Sequence, residues 1–538
     1  MEKIWLKSYP PGVPAEIDTT PHGSLAGLLE AAFLTFATRT AFVCMGRELS
    51  YAELDNRSRA LAAWFQSQGL EPGARIAVML PNLLQYPVTL AAILRAGYVV
   101  VNVNPLYTAR ELEHQLNDSG AQAIVLLDTF LPTFNALGHN TPVRHVVVAS
   151  AGGQTDTAST SHVTFDQALQ QGADAPFTRV AISPDDVAVL QYTGGTTGVS
   201  KGATLLHRNL IANVLQSEAW REAALRGRDD IGQYVTVVAL PLYHVFGLTV
   251  CGLLSMRTGG LGILIPNPRD IPAMVRTLRG FAINAFPAVN TLFNALVNDP
   301  DFASLDFSKL VQATGGGMAV QQAVAARWQA VTGVPIVEGY GLSETSPSVS
   351  TSPPGATAFS GSIGVPLPST EISIRDDDGR EMPLGEPGEI CIRGPQVMAG
   401  YWNRPEETAS VMTPDGFFRS GDIGVMNERG FVKLVDRKKD MIIVSGFNVY
   451  PNEIEDVVAK HPGVFEVVAV GVPDAHSGEV VKLFIVRKDP ALSQTDIFAF
   501  CAQQLTGYKH PKLIEFRTEL PKSAVGKILR RALRDDAG

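Results

Sequence analysis

Apolar segments of strand length alternate with helical patterns between residues 74 and 127, and this order constrains the fold more than any other feature. The segments 74–80, 98–104 and 121–127 are strongly apolar, and the stretches between them carry helical periodicity. A strand–helix–strand–helix–strand order is the signature of a doubly wound, mostly parallel sheet. We therefore predict an α/β fold with large parallel sheets.

A second set of strand-like segments follows at residues 235–241, 281–287, 310–317 and 334–341. Several of them end in glycine or proline before a helical pattern. In open α/β sheets, ligands bind at the carboxyl ends of the strands. The glycine clusters after these segments are therefore candidate site loops.

The sequence texture changes near Ser369, which indicates a second architecture. Short alternating strands with a turn at Asp378-Gly379 predict a small, barrel-like β subdomain at about 365–436. A charged run at 435–440 then separates two strand-like segments. We predict an N-terminal domain over 1–436, a mobile α+β domain over 437–538 and a hinge at about 436–440. A chain of 538 residues is long enough for two or three domains. The polar segment 151–163 is interpreted as a surface excursion.

Composition excludes several classes of protein. The net charge of −9 disfavours a nucleic-acid binder, which would carry a basic stripe. The four cysteines lack metal-site spacing and suit a reducing cytoplasm. The first residues contain neither a long apolar run nor a small-residue cleavage site, so we expect no signal peptide. The longest apolar stretch, 245–256, is too short to span a bilayer and predicts a buried helix or pocket wall.

The stretch 191–210 is rich in glycines and hydroxyl side chains and contains one lysine. Glycines allow backbone N–H groups to approach a polyanion closely, and a lysine adds a mobile positive charge. The spacing differs from Gly-x₄-Gly-Lys-Ser/Thr, which argues against a P-loop NTPase. The predicted phosphate-binding residues are Thr193, Gly194, Gly195, Thr196, Thr197, Gly198 and Lys201.

Eight motifs in order along the chain resemble those of the adenylate-forming superfamily of acyl-CoA synthetases, adenylation domains and luciferases. Within it, residues 415–439 are similar to the fatty-acyl-CoA synthetase signature, and both ends of the chain are similar to bacterial long-chain-fatty-acid–CoA ligases. The motifs are YTGGTTGVSKG (192–202), PLYHVFGL (241–248), GGGM (315–318), EGYGLSET (338–345), GYW (400–402), SGDIG (420–424), VDRKKDMIIVSGFNVYPNEIE (435–455) and PKSAVGKILRR (521–531).

The resemblance implies a two-step reaction. A carboxylate attacks the α-phosphorus of ATP and expels pyrophosphate, which gives an acyl-adenylate. The thiol of CoA then takes the acyl group and AMP leaves. Two anions meet in the first step, so positioned cations and amide donors must offset the developing charge.

The resemblance also implies a set of nucleotide-binding residues. Tyr340 would stack on adenine, Asp422 would accept hydrogen bonds from the ribose hydroxyls and Arg437 would assist. The 193–203 loop would hold the β- and γ-phosphates. The glycines would leave room for adenine and the acyl group. The remaining residues of this set are Gly315, Gly316, Gly317, Met318, Gly339 and Gly341.

Lys527 is implied to bridge the substrate carboxylate and the α-phosphate. Glu344 would be the Mg²⁺ ligand, because a carboxylate oxygen suits a hard cation. Ser343, where relatives often carry threonine, would supply a hydroxyl to the α-phosphate. His244 is either a gate residue on the carboxylate side or a satisfied core histidine. The implied hinge residue is Lys439, the CoA-tunnel residues are Ser445 and Gly446, and the acyl-pocket residues are Val245, Phe246 and Gly247.

Several alternatives stay open at this level. The residues of the pocket alone leave a medium-chain or aromatic acid open, and the long chain is implied only by the resemblance. A related enzyme could pass acyl-AMP to a carrier protein instead of CoA. A lipid-binding protein without catalysis would not explain Lys527, Asp422 and the phosphate loop together. The resemblance allows a homodimer and peripheral attachment to the cytoplasmic face of the inner membrane.

Overall fold

The structure is a computed structural model that describes residues 2–152, 162–193, 200–474 and 476–536, and it contains 26 strands within them. In chain order they are Thr40–Cys44 (β1), Arg47–Ser50 (β2), Arg75–Met79 (β3), Val99–Asn102 (β4), Ala123–Leu127 (β5), His145–Ala149 (β6), Val163–Thr164 (β7), Val187–Thr193 (β8), Lys201–Leu206 (β9), Val235–Val238 (β10), Leu261–Leu264 (β11), Ala285–Ala288 (β12), Gln312–Gly315 (β13), Ile336–Gly341 (β14), Ser348–Thr351 (β15), Val365–Pro366 (β16), Glu371–Arg375 (β17), Gly388–Arg393 (β18), Gly400–Tyr401 (β19), Phe418–Met426 (β20), Val432–Arg437 (β21), Ile442–Val444 (β22), Phe447–Val449 (β23), Val464–Asp474 (β24), Gly478–Arg487 (β25) and Leu513–Arg517 (β26).

The helices lie between these strands. In chain order they are Leu25–Thr35 (α1), Tyr51–Ser67 (α2), Gln85–Arg95 (α3), Ala109–Ser119 (α4), Leu131–Asn135 (α5), Phe165–Ala173 (α6), His207–Leu225 (α7), Leu254–Arg257 (α8), Ile271–Leu278 (α9), Asn290–Val297 (α10), Gln322–Thr332 (α11), Pro405–Val411 (α12), Pro451–Val458 (α13), Gln494–Gln504 (α14) and Arg530–Asp535 (α15). Short 3₁₀ turns occur at Ile4–Ser8, Asp128–Phe130, Phe302–Ser304, Ser343–Thr345 and Gly507–Lys509, and a π-helix at Gly247–Leu253 precedes α8.

The predicted alternation at 74–127 is confirmed as β3-α3-β4-α4-β5. Strand β3 pairs in parallel with both β4 and β5, so α3 and α4 are the crossover helices. Helix α4 shows why the chain turns where it does. It begins with a capping box between Thr108 and Glu111, and it ends at Gly120, whose φ of 63° lies in the left-handed region.

Two large sheets form most of the N-terminal part. Sheet A has the order β16-β15-β14-β13-β12-β10-β11-β1-β2, and sheet B has the order β19-β9-β8-β4-β3-β5-β6-β7. In sheet A the run β14-β13-β12-β10-β11-β1 is parallel, so its connecting loops gather at one edge. The four strand-like segments of the second set are β10, β12, β13 and β14, as expected.

Sheet C is the predicted β subdomain, an antiparallel sheet with the order β17-β18-β20-β21. The turn before Gly379 is present, because the Gly379 N–H donates to the Asp376 carbonyl at 3.1 Å. Arg375 and Glu381 pair across this turn, but β18 begins only at Gly388.

Buried side chains divide the chain near the predicted hinge. One apolar core extends from Trp5 to Val432, while two smaller cores use only residues from Ile442 onward. The smaller cores belong to sheet D, in which β25 pairs with β22, β24 and β26 and β23 pairs with β22. Across the described residues, no helix is long and apolar enough to cross a membrane.

Candidate active site

A cavity of about 2150 Å³ lies where the C-terminal ends of sheet A meet sheet C and the C-terminal domain. It brings most of the predicted site residues to one place. Those on its wall are Thr193, Lys201, His244, Val245, Phe246, Gly316, Gly317, Met318, Gly339, Tyr340, Gly341, Ser343, Glu344, Asp422, Arg437, Lys439 and Lys527. The predicted residues Gly194, Gly195, Thr196, Thr197 and Gly198 lie outside the described residues.

Tyr340, Asp422 and Arg437 form a hydrogen-bonded group at the end of β14. The Tyr340 hydroxyl donates to Asp422 Oδ2 at 2.8 Å, and Arg437 Nε lies 3.3 Å from Asp422 Oδ1. Asp422 and Arg437 are register partners of β20 and β21, which fixes their approach. Burial raises the pKa of Asp422, while the Arg437 charge opposes that shift. The carboxylate is thus held in one orientation at the cavity wall.

Glu344 is buried in the 3₁₀ turn that follows β14 and begins at Ser343. The Tyr401 hydroxyl donates to Glu344 Oε1 at 2.8 Å. Burial raises the pKa of Glu344, and this hydrogen bond opposes the shift. Lys201 Nζ lies 5.4 Å from the centre of the Tyr401 ring and forms an ion pair with Glu407. Tyr401 was missed as a site residue, although its motif Gly-Tyr-Trp was part of the resemblance.

Lys527 extends from the C-terminal domain into the cavity beside Gly317. A Cβ atom built on Gly317 would lie 2.9 Å from Lys527 Cε, so the side chain occupies the space that this glycine leaves. Burial lowers the pKa of Lys527 to about 8. The Arg437 charge lowers it further, and the carboxylates of Asp422 and Glu344 oppose both effects.

A tight turn over 523–527 presents Lys527. The Ser523 N–H donates to the Lys527 carbonyl at 2.7 Å, and Gly526 has a φ of 81°. Thr291, at the start of α10, donates from Oγ1 to the Gly526 carbonyl at 2.9 Å. Asn294, one turn later, donates to the Phe465 carbonyl at 2.9 Å. Sequence reasoning did not identify Thr291 as a residue that fixes this turn.

His244 lies in the loop after β10, next to the apolar stretch. Burial lowers the pKa of His244 to about 3, and the Lys527 charge lowers it in the same direction. Its Nδ1 accepts a hydrogen bond from the Phe246 N–H at 3.3 Å, as a neutral ring can. A neutral His244 therefore faces the same cavity as the Lys527 ammonium.

Three of the predicted glycines serve packing in addition to, or instead of, ligand access. A Cβ on Gly247 would lie 2.2 Å from the Pro241 carbonyl oxygen, and one on Gly341 would lie 1.8 Å from the Pro347 carbonyl oxygen. A Cβ on Gly315 would lie 2.3 Å from Val320 Cγ2. Gly315 and Gly247 are not on the cavity wall, and close backbone packing is enough to require a glycine at 247, so the acyl-pocket role of Gly247 stays a prediction.

The predicted CoA residues lie away from the cavity. Ser445 and Gly446 form the exposed tip of the β22–β23 hairpin, with φ angles of 50° and 83°. Lys439, the predicted hinge residue, lines the cavity, where partial burial and the Arg437 charge lower its pKa to about 8. The structure thus brings Lys527 to the site but not the hairpin tip.

The site residues fit a Mg²⁺ ion that is bound mainly through phosphates. Mg²⁺ commonly takes one or two carboxylates together with substrate phosphates and water. Glu344 supplies one buried carboxylate oriented by Tyr401. Among the described residues, no group of three or more histidine, cysteine, aspartate or glutamate side chains could hold a metal by itself.

Comparison with known proteins identifies the family to which the chain belongs. Residues 29–402 match the family described as AMP-binding enzyme, and residues 453–527 match the AMP-binding enzyme C-terminal domain. The chain belongs to the AMP-binding enzyme family. It is 52% identical over 558 aligned positions to the long-chain-fatty-acid–CoA ligase of Escherichia coli O6:H1, with 100% of this chain and 99% of that protein covered. The ligase of the same name from Haemophilus influenzae is 48% identical, with 100% and 99% covered.

Solved structures of family members have the same two-part fold. An anthranilate CoA ligase in complex with anthranoyl-AMP gives a TM-score of 0.86 at 26% identity, with 96% of this chain and 97% of that chain covered. MatB from Rhodopseudomonas palustris gives 0.82 in its ATP-bound form at 30% identity, with 95% and 98% covered. Its apo form, with the same identity and coverage, gives 0.73. This chain is therefore more similar to the ATP-bound form of MatB than to the apo form.

Proposed function

We propose that this protein activates a long-chain fatty acid with ATP and transfers the acyl group to CoA. The single observation that carries the proposal is the position of Lys527 beside Gly317, in one cavity with Asp422 and Glu344. The 52% identity to a long-chain-fatty-acid–CoA ligase over the whole chain supports the same substrate class.

In the first half-reaction, a carboxylate oxygen attacks the α-phosphorus of ATP and the bond to the β-phosphate oxygen breaks. Pyrophosphate leaves with that electron pair, and the product is acyl-AMP. The Lys527 ammonium neutralises charge that builds up between the carboxylate and the α-phosphate. Fixed charges aimed at the transition state are the main source of catalysis in phosphoryl-transfer sites.

Asp422 and Arg437 would bind the ribose, and Tyr340 would lie against the adenine while it orients Asp422. The support is geometric, because the Asp422 carboxylate is held in place by a hydrogen bond from Tyr340 and an ion pair with Arg437. The β8–β9 hairpin would hold the β- and γ-phosphates. Thr193 and Lys201 are the last register partners of that hairpin, on either side of residues 194–200.

Glu344 and the ATP phosphates would hold Mg²⁺, which supplies Lewis-acid polarisation of the phosphate oxygens when it is bound. Ser343 would contribute its hydroxyl to the α-phosphate. His244, neutral at physiological pH, would shape the carboxylate side without adding a second positive charge.

In the second half-reaction, the CoA thiolate attacks the acyl carbonyl carbon, and AMP leaves with the electron pair of the broken C–O bond. We propose that a rotation near Lys439 removes Lys527 and brings Ser445 and Gly446 to the cavity. In the present orientation the β22–β23 tip is exposed and away from the cavity wall, so a CoA-binding role for it requires a different domain orientation. Hinge residues need only absorb backbone rotation.

The decisive experiment is carboxylate-dependent ATP–pyrophosphate exchange with purified protein, using C2 to C18 and aromatic acids, with and without CoA. We expect exchange with long-chain acids and thioester formation when CoA is added. Absence of exchange with every acid would overturn the adenylation proposal. Exchange without thioester would instead indicate an acyl-AMP ligase that serves another acceptor, and a preference for shorter or aromatic acids would change the substrate class.

Peripheral membrane association and homodimerisation are proposed from the resemblance alone. Co-sedimentation with anionic phospholipid vesicles tests the first. Light scattering coupled to size-exclusion chromatography tests the second, and a monomer at all concentrations would contradict it.

A further inference from the structure

The cavity extends along one face of sheet A, from the C-terminal ends of its parallel strands, near Lys527, toward their N-terminal ends. Successive strand residues alternate between faces, so residues two apart share one. Gln312 and Thr314 of β13 and Gly316, which directly follows it, lie on the cavity wall, as do Ala285 and Pro287 of β12. Gln312 and Gly316 are four steps apart along the chain, or about 13 Å at 3.3 Å per residue.

The far end of this path contains a cation. Tyr234 precedes β10 at the edge of sheet A opposite His244, and both Tyr234 and Arg221 line the cavity. The Arg221 guanidinium carbon lies 5.1 Å from the centre of the Tyr234 ring. Trp220, beside it on α7, is buried and also lines the cavity.

The Arg221 guanidinium is poorly satisfied by protein groups. Its Nη1 donates to Thr258 Oγ1 at 2.6 Å, and its Nε is a buried donor without a partner among the described residues. A guanidinium carries five N–H donors, and a buried donor left unpaired is costly. Among the described residues no carboxylate forms an ion pair with Arg221, although the charges of Glu218 and Glu222 are near enough to oppose the lowering of its pKa by burial. The nearby Glu218 is paired with Arg257 at 3.1 Å.

We propose that Arg221 binds a carboxylate at the far end of the acyl chain, so that the acid substrates include long-chain α,ω-dicarboxylic acids. This inference rests on the proposed function and specifies its substrate class. A wall of purely apolar side chains would suit a methyl end. Here the path instead ends at the Arg221 guanidinium, which has no carboxylate paired with it among the described residues, next to the polar side chains of Tyr234, Thr236 and Gln312.

One carboxylate would be activated beside Lys527 while the other accepts hydrogen bonds from Arg221. The chemistry at the activated end is unchanged. The ω-carboxylate forms and breaks no bond, and the product is an ω-carboxyacyl-CoA. Because the distance between the two cations is fixed by sheet A, the preference among diacids should peak at one chain length.

The test compares hexadecanedioic acid, its monomethyl ester and hexadecanoic acid as substrates of the full-length protein, with kcat/KM for thioester formation as the readout. The ester has the same backbone but a neutral ω end. We expect the diacid to exceed the ester by about ten- to a hundredfold, the range given by a hydrogen bond to a charged group. This arm needs no variant. Equal values for diacid and ester, or no turnover of the diacid, would overturn the inference.

Arg221→Met should lower the ratio of kcat/KM for the diacid to that for hexadecanoic acid by about tenfold or more, and Arg221→Lys should retain part of the advantage of the diacid. Arg208→Met is the matched control on α7, because Arg208 is paired with Asp185 at the protein surface. It should change neither the diacid-to-ester ratio nor the diacid-to-hexadecanoic-acid ratio of kcat/KM. An unchanged diacid-to-monoacid ratio in Arg221→Met would contradict the assignment. Loss of thioester formation with every acid in the wild-type protein would overturn the proposed function itself and the inference with it.

Discussion

The Tyr340 hydroxyl donates to Asp422 Oδ2 at 2.8 Å, across the junction between sheet A and sheet C. Tyr340→Phe removes one donor from a buried carboxylate. A hydrogen bond to a charged group contributes about 1.5–3 kcal/mol, so we expect KM for ATP to rise about tenfold or more with little change in kcat. Tyr98→Phe is the control, since Tyr98 bonds the Leu70 carbonyl far from the site. An unchanged KM would show that Asp422 does not need this partner.

Lys527→Ala should separate the two half-reactions. Removal of a positioned charge in the transition state typically costs about 10²–10³ in rate, so adenylation should fall by at least that factor. Supplied acyl-AMP plus CoA should still give thioester. Lys512→Ala, at an exposed position of the same domain, should affect neither step. Equal loss in both steps would refute the assignment of Lys527 to adenylation.

The pH dependence of adenylation should follow the loss of the proton from the Lys527 ammonium. Burial lowers its pKa to about 8, and it faces Arg437, Asp422, Glu344 and His244. The ammonium is the active form, so kcat/KM should be constant below about pH 8 and fall as pH rises through that value. Pyrophosphate exchange between pH 6.5 and 9.5 measures it. A constant rate across that range would contradict the role of this charge.

The free energy of unfolding should also depend on the titration of Lys527, but it should rise with pH where the adenylation rate falls. The folded pKa of about 8 lies below the ordinary 10.5, so the folded protein binds fewer protons than the unfolded chain between these values. The contribution of Lys527 to the free energy of unfolding therefore increases with pH in that window.

Gly317→Ala should impair adenylation through Lys527. The new Cβ would lie 2.9 Å from Lys527 Cε, on a residue with a φ of 78°. Gly333→Ala is a matched control, because Gly333 has a φ of 75° and its Cβ would meet nothing within 4 Å. Both variants carry a left-handed backbone cost of about 1–2 kcal/mol. Only Gly317→Ala should slow pyrophosphate exchange. A similar loss in both would trace the effect to backbone strain.

Thr291→Val should weaken the hold on the Lys527 turn. It removes the 2.9 Å hydrogen bond to the Gly526 carbonyl and keeps the shape of the side chain. We expect adenylation to slow by about fivefold, since a neutral hydrogen bond contributes roughly 1 kcal/mol. Thioester formation from supplied acyl-AMP should be unchanged or faster. Slower thioester formation would show that Thr291 acts in the other orientation too.

The sequence predicted the parallel sheets because local signals agree with the tertiary structure there. Strands β3, β4 and β5 are apolar runs, and α4 carries its own caps at Thr108 and Gly120. It also predicted that Asp422 and Tyr340 belong to one site. The hydrogen bond between them joins two sheets, and only the packing of those sheets shows it.

Two kinds of information were inaccessible from sequence. Domain orientation depends on a few long-range contacts, such as Thr291 with Gly526, and these leave no periodic signal. The resemblance implies that Ser445 and Gly446 line the CoA tunnel after the domain has rotated, and only the structure shows that they are exposed in the present orientation. Side chains such as Arg221 were also missed, because a single arginine on a helix is usually a solvated residue, and only the cavity reveals its environment.

Lys527 and the β22–β23 tip belong to one domain, and only Lys527 reaches the cavity in this orientation. Under the proposed mechanism, the rotation that admits the thiol withdraws the ammonium from the adenylate. Return of pyrophosphate to form ATP needs the same ammonium, by microscopic reversibility. Rotation would therefore commit the bound intermediate. The orientation of the C-terminal domain, as well as removal of pyrophosphate, would therefore prevent acyl-AMP from reverting to ATP and free acid.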